Sequence, residues 1–173
     1  MALIVAESPL ECYILEKTKG EGGMTTEEMV QELWDREKIK ELTYQYGLAV
    51  EAQNEDQMVN LFLPDGSADF SSLGRGVIKG REALKEFYRS TWALRIKPFF
   101  TNHVIRVEGD RATGICSLQN SGIRGTDSMV GAGRLHDEYQ KVNGEWKFKS
   151  RRVEIFYLVP LSEGWAKAQT TKL

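Results

Sequence analysis

Cysteine, histidine and proline are scarce in this 173-residue chain, at two, two and four residues. Cys12 and Cys116 are far apart, one in an expected tail and one in an expected strand, so a disulfide framework is not supported and reduced thiols in the cytoplasm are expected. His103, His136 and the cysteines do not form a spaced ligand cluster, and neither HExxH nor CxxC occurs, which argues against a metal. GxSxG is missing, so covalent hydrolysis has no support. Gly74, Gly76 and Gly80 read GxGxxxG, one position off the dinucleotide fingerprint and outside a βαβ setting, so no cofactor is expected. Charge of one sign is also lacking: 23 Lys and Arg are interleaved with 25 Asp and Glu, leaving no basic stripe for nucleic acid. Met1 to Tyr13 carries Glu7, Pro9 and Glu11 with no basic start, so it reads neither as a secretion signal nor as a membrane span.

What is present fits one domain with helices first and strands later. Residues 1–23 end in KTKGEGG and read as a tail or an arm for an oligomer, 24–160 as the domain, and 161–173 as a C-terminal tail. Thr25 and Glu28 have capping-box spacing, and apolar residues from Met29 to Ala49 recur at three and four, which predicts a long helix over about 26–52. Asn54 should cap a short helix through Met58, Leu61 and Phe62 that Pro64, Asp65 and Gly66 end. Two short strands, 68–71 and 77–79, precede a third helix within 80–93. Four long antiparallel strands follow, over 99–108, 111–121, 129–142 and 145–158, with turns at Glu108-Gly109-Asp110 and Asn143-Gly144. The expected fold class is α+β, a curved antiparallel sheet wrapped around the long N-terminal helix as a cone with an open-ended pocket.

The chemistry-bearing stretch is LTYQYGLAVEAQNEDQMVNLFLPDG, residues 42–66. Tyr46 and Glu51 lie about 140° apart around a helix, and they converge only if the helix ends near Glu51 and both reach into one concave sheet. A phenol and a carboxylate so placed can do acid and base work without a metal. Strand alternation puts Phe100, Asn102 and Val104 on one face and His103, Ile105 and Val107 on the other, so His103 either lines the pocket or packs beneath the helices. In RLHDEYQ, His136 shares a face with Arg134 and Glu138, which favours solvent or an interface, while Leu135, Asp137 and Tyr139 share the opposite face. In the last strand Trp146, Phe148, Ser150, Arg152 and Glu154 alternate together, so Arg152 is either an anion anchor among aromatics or the partner of a nearby carboxylate. Asp69, Asn102, Asn120, Arg124 and Phe100 complete the candidates; Arg124, in SGIRGTD, is expected in a loop at the cone mouth.

Taken in order, YGLAVEAQNEDQMVNLF, PDGSADF, GRGVIKGREALKEFY, TNHVIRVEGDRATG and GRLHDEYQKVNGEWKFKSRRVEI resemble the SnoaL-like branch of the NTF2-like (cystatin-like cone) superfamily over roughly residues 27–158. Members of this branch include scytalone dehydratase and the bile acid 7α-dehydratases, cofactor-independent lyases of bulky apolar substrates. The resemblance implies that Tyr46 stands at a pocket tyrosine and Glu51 at the family's usual aspartate. It also shows departures: Pro98 stands where the base histidine is usual, and Asn120 replaces a second acidic residue.

The expectation that follows is a cofactor-independent lyase with Tyr46, Glu51, His103 and Arg152 as catalytic groups. Asn102, Asn120, Arg124, Phe100, Asp69 and His136 would contact substrate. Dehydration, or carbon–carbon cleavage such as deformylation of a lignin-derived diaryl compound, would be its reaction on an aromatic or polycyclic small molecule. Alternatives are a non-catalytic ligand-binding or accessory-subunit module, and an isomerase or cyclase of polyketide type. A homo-oligomer, dimer or trimer, is the expected assembly, with no nucleic acid or membrane partner.

Overall fold

The computed structural model describes residues 23–166. Most of the expected N-terminal arm, including Cys12, and residues 167–173 of the C-terminal tail lie outside them. The described residues fall into two compact units, 23–33 and 34–166. In the first, the Thr25 amide donates to the Glu28 carboxylate at 2.8 Å and the Glu28 amide to the Thr25 hydroxyl at 3.2 Å, the reciprocal capping box that opens helix α1, Thr26–Glu51.

Within the second unit, α1 buries Ile39, Leu42, Thr43, Tyr46, Gly47 and Ala49, a stripe at three- and four-residue spacing. The Asn54 side chain accepts the Gln57 amide at 3.0 Å and starts α2, Glu55–Asn60. Here the structure corrects the sequence reading, because Phe62 opens strand β1, Phe62–Asp69, and Pro64, Asp65 and Gly66 lie within it. The register against β6 shifts between Phe62 and Ser67, across Pro64, Asp65 and Gly66, so the turn-like residues bend a strand instead of ending a helix. Strand β2, Val77–Lys79, and helix α3, Arg81–Thr91, follow.

The meander consists of β3, Leu94–Glu108; β4, Arg111–Arg124; β5, Asp127–Val142; and β6, Glu145–Pro160. Its last turn places Asn143 at φ 52° and Gly144 at φ 81°, the paired left-handed conformations of a tight two-residue hairpin. Arg124 is paired with Asp127 at the end of β4, so it belongs to the wall and not to a free loop. Strand order is β2-β1-β6-β5-β4-β3, antiparallel except that β1 runs parallel to β6, which makes the six-stranded curved sheet mixed. The core lies on its concave face, where Ile39, Met58, Phe62, Leu84, Leu135 and Phe148 are all but inaccessible. Each such side chain contributes on the order of 1.5–3 kcal/mol by leaving water. Among the described residues no helix is long and apolar enough to cross a membrane.

Candidate functional site

Two β-bulges decide which side chains enter the cone. In β6 the register jumps from Tyr139 opposite Phe148 to Glu138 opposite Ser150, so Lys149 is an extra residue and the alternation reverses after it. Arg151 therefore turns inward and Arg152 outward, correcting the expected face of Arg152. In β3 a shift between Thr101 and Val104, with Asn102 at φ 54°, brings His103 onto the same face as Phe100 and leaves Asn102 exposed, donating to the Ser117 hydroxyl at 3.2 Å.

Arg151 is the centre of the interior. It stands opposite Asp137, and its Nε and Nη2 each donate to that carboxylate at 2.8 Å; the two side chains are 0% and 1% exposed. Tyr139 donates a third bond to Asp137 at 2.9 Å. Gly114 makes room for Tyr139, whose ring lies 3.0 Å from where a Cβ at position 114 would stand. The guanidinium lies 4.1 Å from the Phe148 ring centre and 4.2 Å from that of Tyr46. Burial works against the charge of Arg151, but the attraction and hydrogen bonds of Asp137 overcome it and raise its pKa. Its Nη1 is buried with no hydrogen-bond partner.

Tyr46 carries this centre toward the helices, donating to the Tyr88 hydroxyl at 3.3 Å. Burial pushes the phenols of Tyr88 and Tyr139 well up, and it pushes the Cys116 thiol up to about 12, so all three are neutral at pH 7. His103 meets Tyr44 edge-on, with ring centres 5.6 Å apart, and its Nε2 is buried without a hydrogen-bond partner. Burial, and then the positive charges of Lys40 and Arg151, hold its imidazole below the ordinary value. Asn120 is buried on the concave face, opposite Pro98 and Gly131 in register.

Glu51 is not in hydrogen-bond contact with Tyr46. It is exposed at the end of α1, where it lines a cleft of about 530 Å³ together with Val50, Arg95, Ile96, Lys97 and Ile123. Four candidates, His136, Asp69, Arg152 and Arg124, lie elsewhere. His136 is on the outer face, its Nε2 2.9 Å from the Glu154 carboxylate, which that contact holds below the usual range. Asp69 accepts the Ser71 amide at 2.8 Å; the Ser71 hydroxyl first, then this amide and Arg152 opposite it in register, lower its carboxyl pKa. Arg124 is exposed at the hairpin. Arg151, Asp137, Tyr139 and Tyr88 were not among the candidates. The shared inward face of Asp137 and Tyr139 was readable from alternation with Leu135, whereas Arg151 was hidden by the bulge. Among the described residues no group of three His, Cys, Asp or Glu could hold a metal ion.

The SnoaL-like domain model matches residues 31–152. The chain belongs to the SnoaL-like domain family. This SnoaL-like chain is 26% identical over 136 residues to the gamma-hexachlorocyclohexane dehydrochlorinase of Sphingobium indicum, covering 75% of its own length and 86% of that enzyme. A Mycobacterium tuberculosis protein of unknown function superposes with TM-score 0.67 at 27% identity, covering 81% of this chain and 80% of that one. A scytalone dehydratase-like protein from Novosphingobium aromaticivorans gives TM-score 0.70 at 18% identity, over 76% and 91% of the two chains, and shows the shared fold.

Proposed function

We propose that this SnoaL-like protein is a cofactor-independent lyase that eliminates a small group from a bulky, apolar, aromatic or polycyclic molecule. The observation that carries the reading is the Tyr46 phenol held against the Arg151 guanidinium on the concave face, on the helix whose end brings Glu51 to the cleft. The Tyr46 hydroxyl, which donates to Tyr88 at 3.3 Å, is the O–H offered to a departing oxygen. In the proposed step Glu51 takes a proton from carbon, the electron pair forms the double bond, the carbon–oxygen bond breaks, and Tyr46 protonates the leaving oxygen. His103 stands close enough to Arg151 to feel its charge and is the reserve base. Loss of a carbon fragment such as formaldehyde uses the same groups: the substrate hydroxyl gives its proton to the base, its oxygen forms the carbonyl of the departing formaldehyde, and the pair of the broken carbon–carbon bond stays on the remaining carbon, which Tyr46 protonates. Relatedness to a dehydrochlorinase, an eliminating enzyme by name, supports the class of reaction.

The test is turnover of a panel of aryl and polycyclic alcohols and of a chlorinated cyclohexane by dialysed protein. Tyr46→Phe and Glu51→Gln should each lower the rate by about 10²–10⁴. Equal rates in both variants would sink the assignment. A second reading, a non-catalytic ligand-binding module, draws on the near-complete burial of Asp137 and Arg151, which suits a structural core. A panel left wholly unturned over would favour it. Cytoplasmic location and a homo-oligomer accompany the proposal, and sedimentation checks the second.

A further inference from the structure

The buried stripe of α1 accounts for only one side of that helix. On the other, Trp34, Glu37, Glu41, Tyr44 and Leu48 recur at alternating three- and four-residue steps, the spacing of a seam between two helices. Trp34, Tyr44 and Leu48 are 57%, 45% and 63% exposed, large apolar groups left facing water. The seam is also symmetric in sequence. Glu37-Lys38-Ile39-Lys40-Glu41 reads the same in both directions about the buried Ile39, and Trp34 and Tyr44 stand five positions to either side of it. Lys38 pairs with Glu41 at 2.7 Å and Lys40 with Glu37 at 3.1 Å, all four side chains reaching solvent. A two-fold axis demands this kind of symmetry, because residue i of one copy then meets j of the other and j meets i.

We propose that α1 docks antiparallel on α1 of a second copy of this chain, with the two-fold axis at the level of Ile39. Trp34 of each copy packs against Tyr44 of the other. Lys38 faces Glu41, and Lys40 faces Glu37, across the seam, so ion pairs within a helix are exchanged for the same pairs between helices. Leu48 extends the apolar end one turn past Tyr44. The fourteen helical steps from Trp34 to Leu48 span about 21 Å. A contact of that length is at the small end of specific interfaces, with a dissociation constant on the order of 10 μM. It gives the proposed homo-oligomer a face and is independent of the lyase reading.

Sedimentation velocity of the full chain, from about tenfold below to tenfold above that constant, tests the contact. Lys38→Glu with Lys40→Glu makes the central band all acidic, and Glu37→Lys with Glu41→Lys makes it all basic. Each variant alone should associate at least roughly tenfold more weakly than the parent, because like charges then meet across the axis. Mixed in equal amounts, the two should recover association close to that of the parent, since acidic band then meets basic; circular dichroism checks that both are folded. Trp34→Ser should weaken association with the charges intact. A parent that sediments as a monomer throughout would overturn the proposal. So would variants that associate as the parent does, which would put the copies on another face such as the outer side of the sheet, and so would a mixture as dissociated as its components.

Discussion

Arg151 concentrates the energetic risk of the interior in one side chain. A guanidinium that is 0% exposed keeps its charge only because Asp137 accepts two of its hydrogen bonds. Arg151→Met leaves that carboxylate buried with the single Tyr139 bond, and should destabilise the protein by about 3–5 kcal/mol in urea unfolding. Adding Asp137→Leu should recover most of the loss, because removing both charges removes the desolvation penalty as well. A double variant as unstable as the single would show that the pair does more than neutralise itself. His103 gives the residue-scale pH dependence. Its pKa is lowered from 6.5 by burial, so the unfolded chain binds its proton more readily than the folded one. Its contribution is therefore fully present above pH 6.5 and is lost as pH falls through 6.5 toward the lower folded value. Glu154 and Asp69, whose folded values are depressed, are lost in turn only below their ordinary values of 4.5 and 3.8. Between pH 7 and 5, His103→Asn should flatten the decline in urea midpoint relative to the parent; an unchanged slope would place the acid sensitivity elsewhere.

At the scale of elements, the bulges separate what alternation reveals from what it hides. α1 was legible almost to the residue because capping box, apolar spacing and the Asn54 cap agree, and the Asn143-Gly144 hairpin was legible from turn chemistry alone. The inward choice of Arg151 over Arg152 was not, because a period-2 reading carries an unbroken register through Lys149, where the strand inserts a residue. The same error put Asn102 with Phe100 on one face, and the left-handed Asn102 is the break that places His103 there instead. Both strands bend where they turn a polar group into the cone, so the candidate site was least readable where it is most unusual. Gly133 shows how tightly β5 and β6 are held at their other shift, between Ala132 and Gly133. A Cβ there would lie 2.3 Å from the Glu154 carbonyl oxygen, a backbone atom that cannot swing aside. Gly133→Ala should cost about 1–3 kcal/mol of stability through the displaced strand pair, whereas at the open Gly109 or Gly144 the cost would come only from the backbone conformation. Thermal melts compare the three, and a Gly133→Ala protein as stable as its parent would mean that the β5–β6 register can slip.

Across the second unit, stability and the proposed chemistry separate along α1. The sixteen helical steps from Asp35 to Glu51 span about 24 Å. At the first end Asp35 is buried and accepts from Lys141 and from the Trp146 indole at 2.8 Å, tying the helix to the ends of β5 and β6. At the second, Glu51 is exposed in the cleft with no partner among the described residues. Asp35→Leu leaves Lys141, half-buried over the Trp146 ring, without its carboxylate and should destabilise by about 3–5 kcal/mol. Because nothing at that end touches Tyr46 or Glu51, the turnover of the protein that remains folded should stay within about twofold of the parent, as expected of distant, uncoupled sites. Glu51→Gln should do the reverse, moving stability by no more than about 0.5 kcal/mol as an exposed position does, while lowering turnover by the factor proposed for a base. Measuring urea midpoint and rate on both variants gives four numbers that a purely structural fold would arrange differently. If Glu51 were only a solvated helix end, both of its numbers would match the parent; if the cone worked as one rigid unit, Asp35→Leu would lower the rate of the folded fraction along with stability. Only the crossed pattern, stability lost at one end and rate at the other, fits a cone anchored at Asp35 and reactive at Glu51.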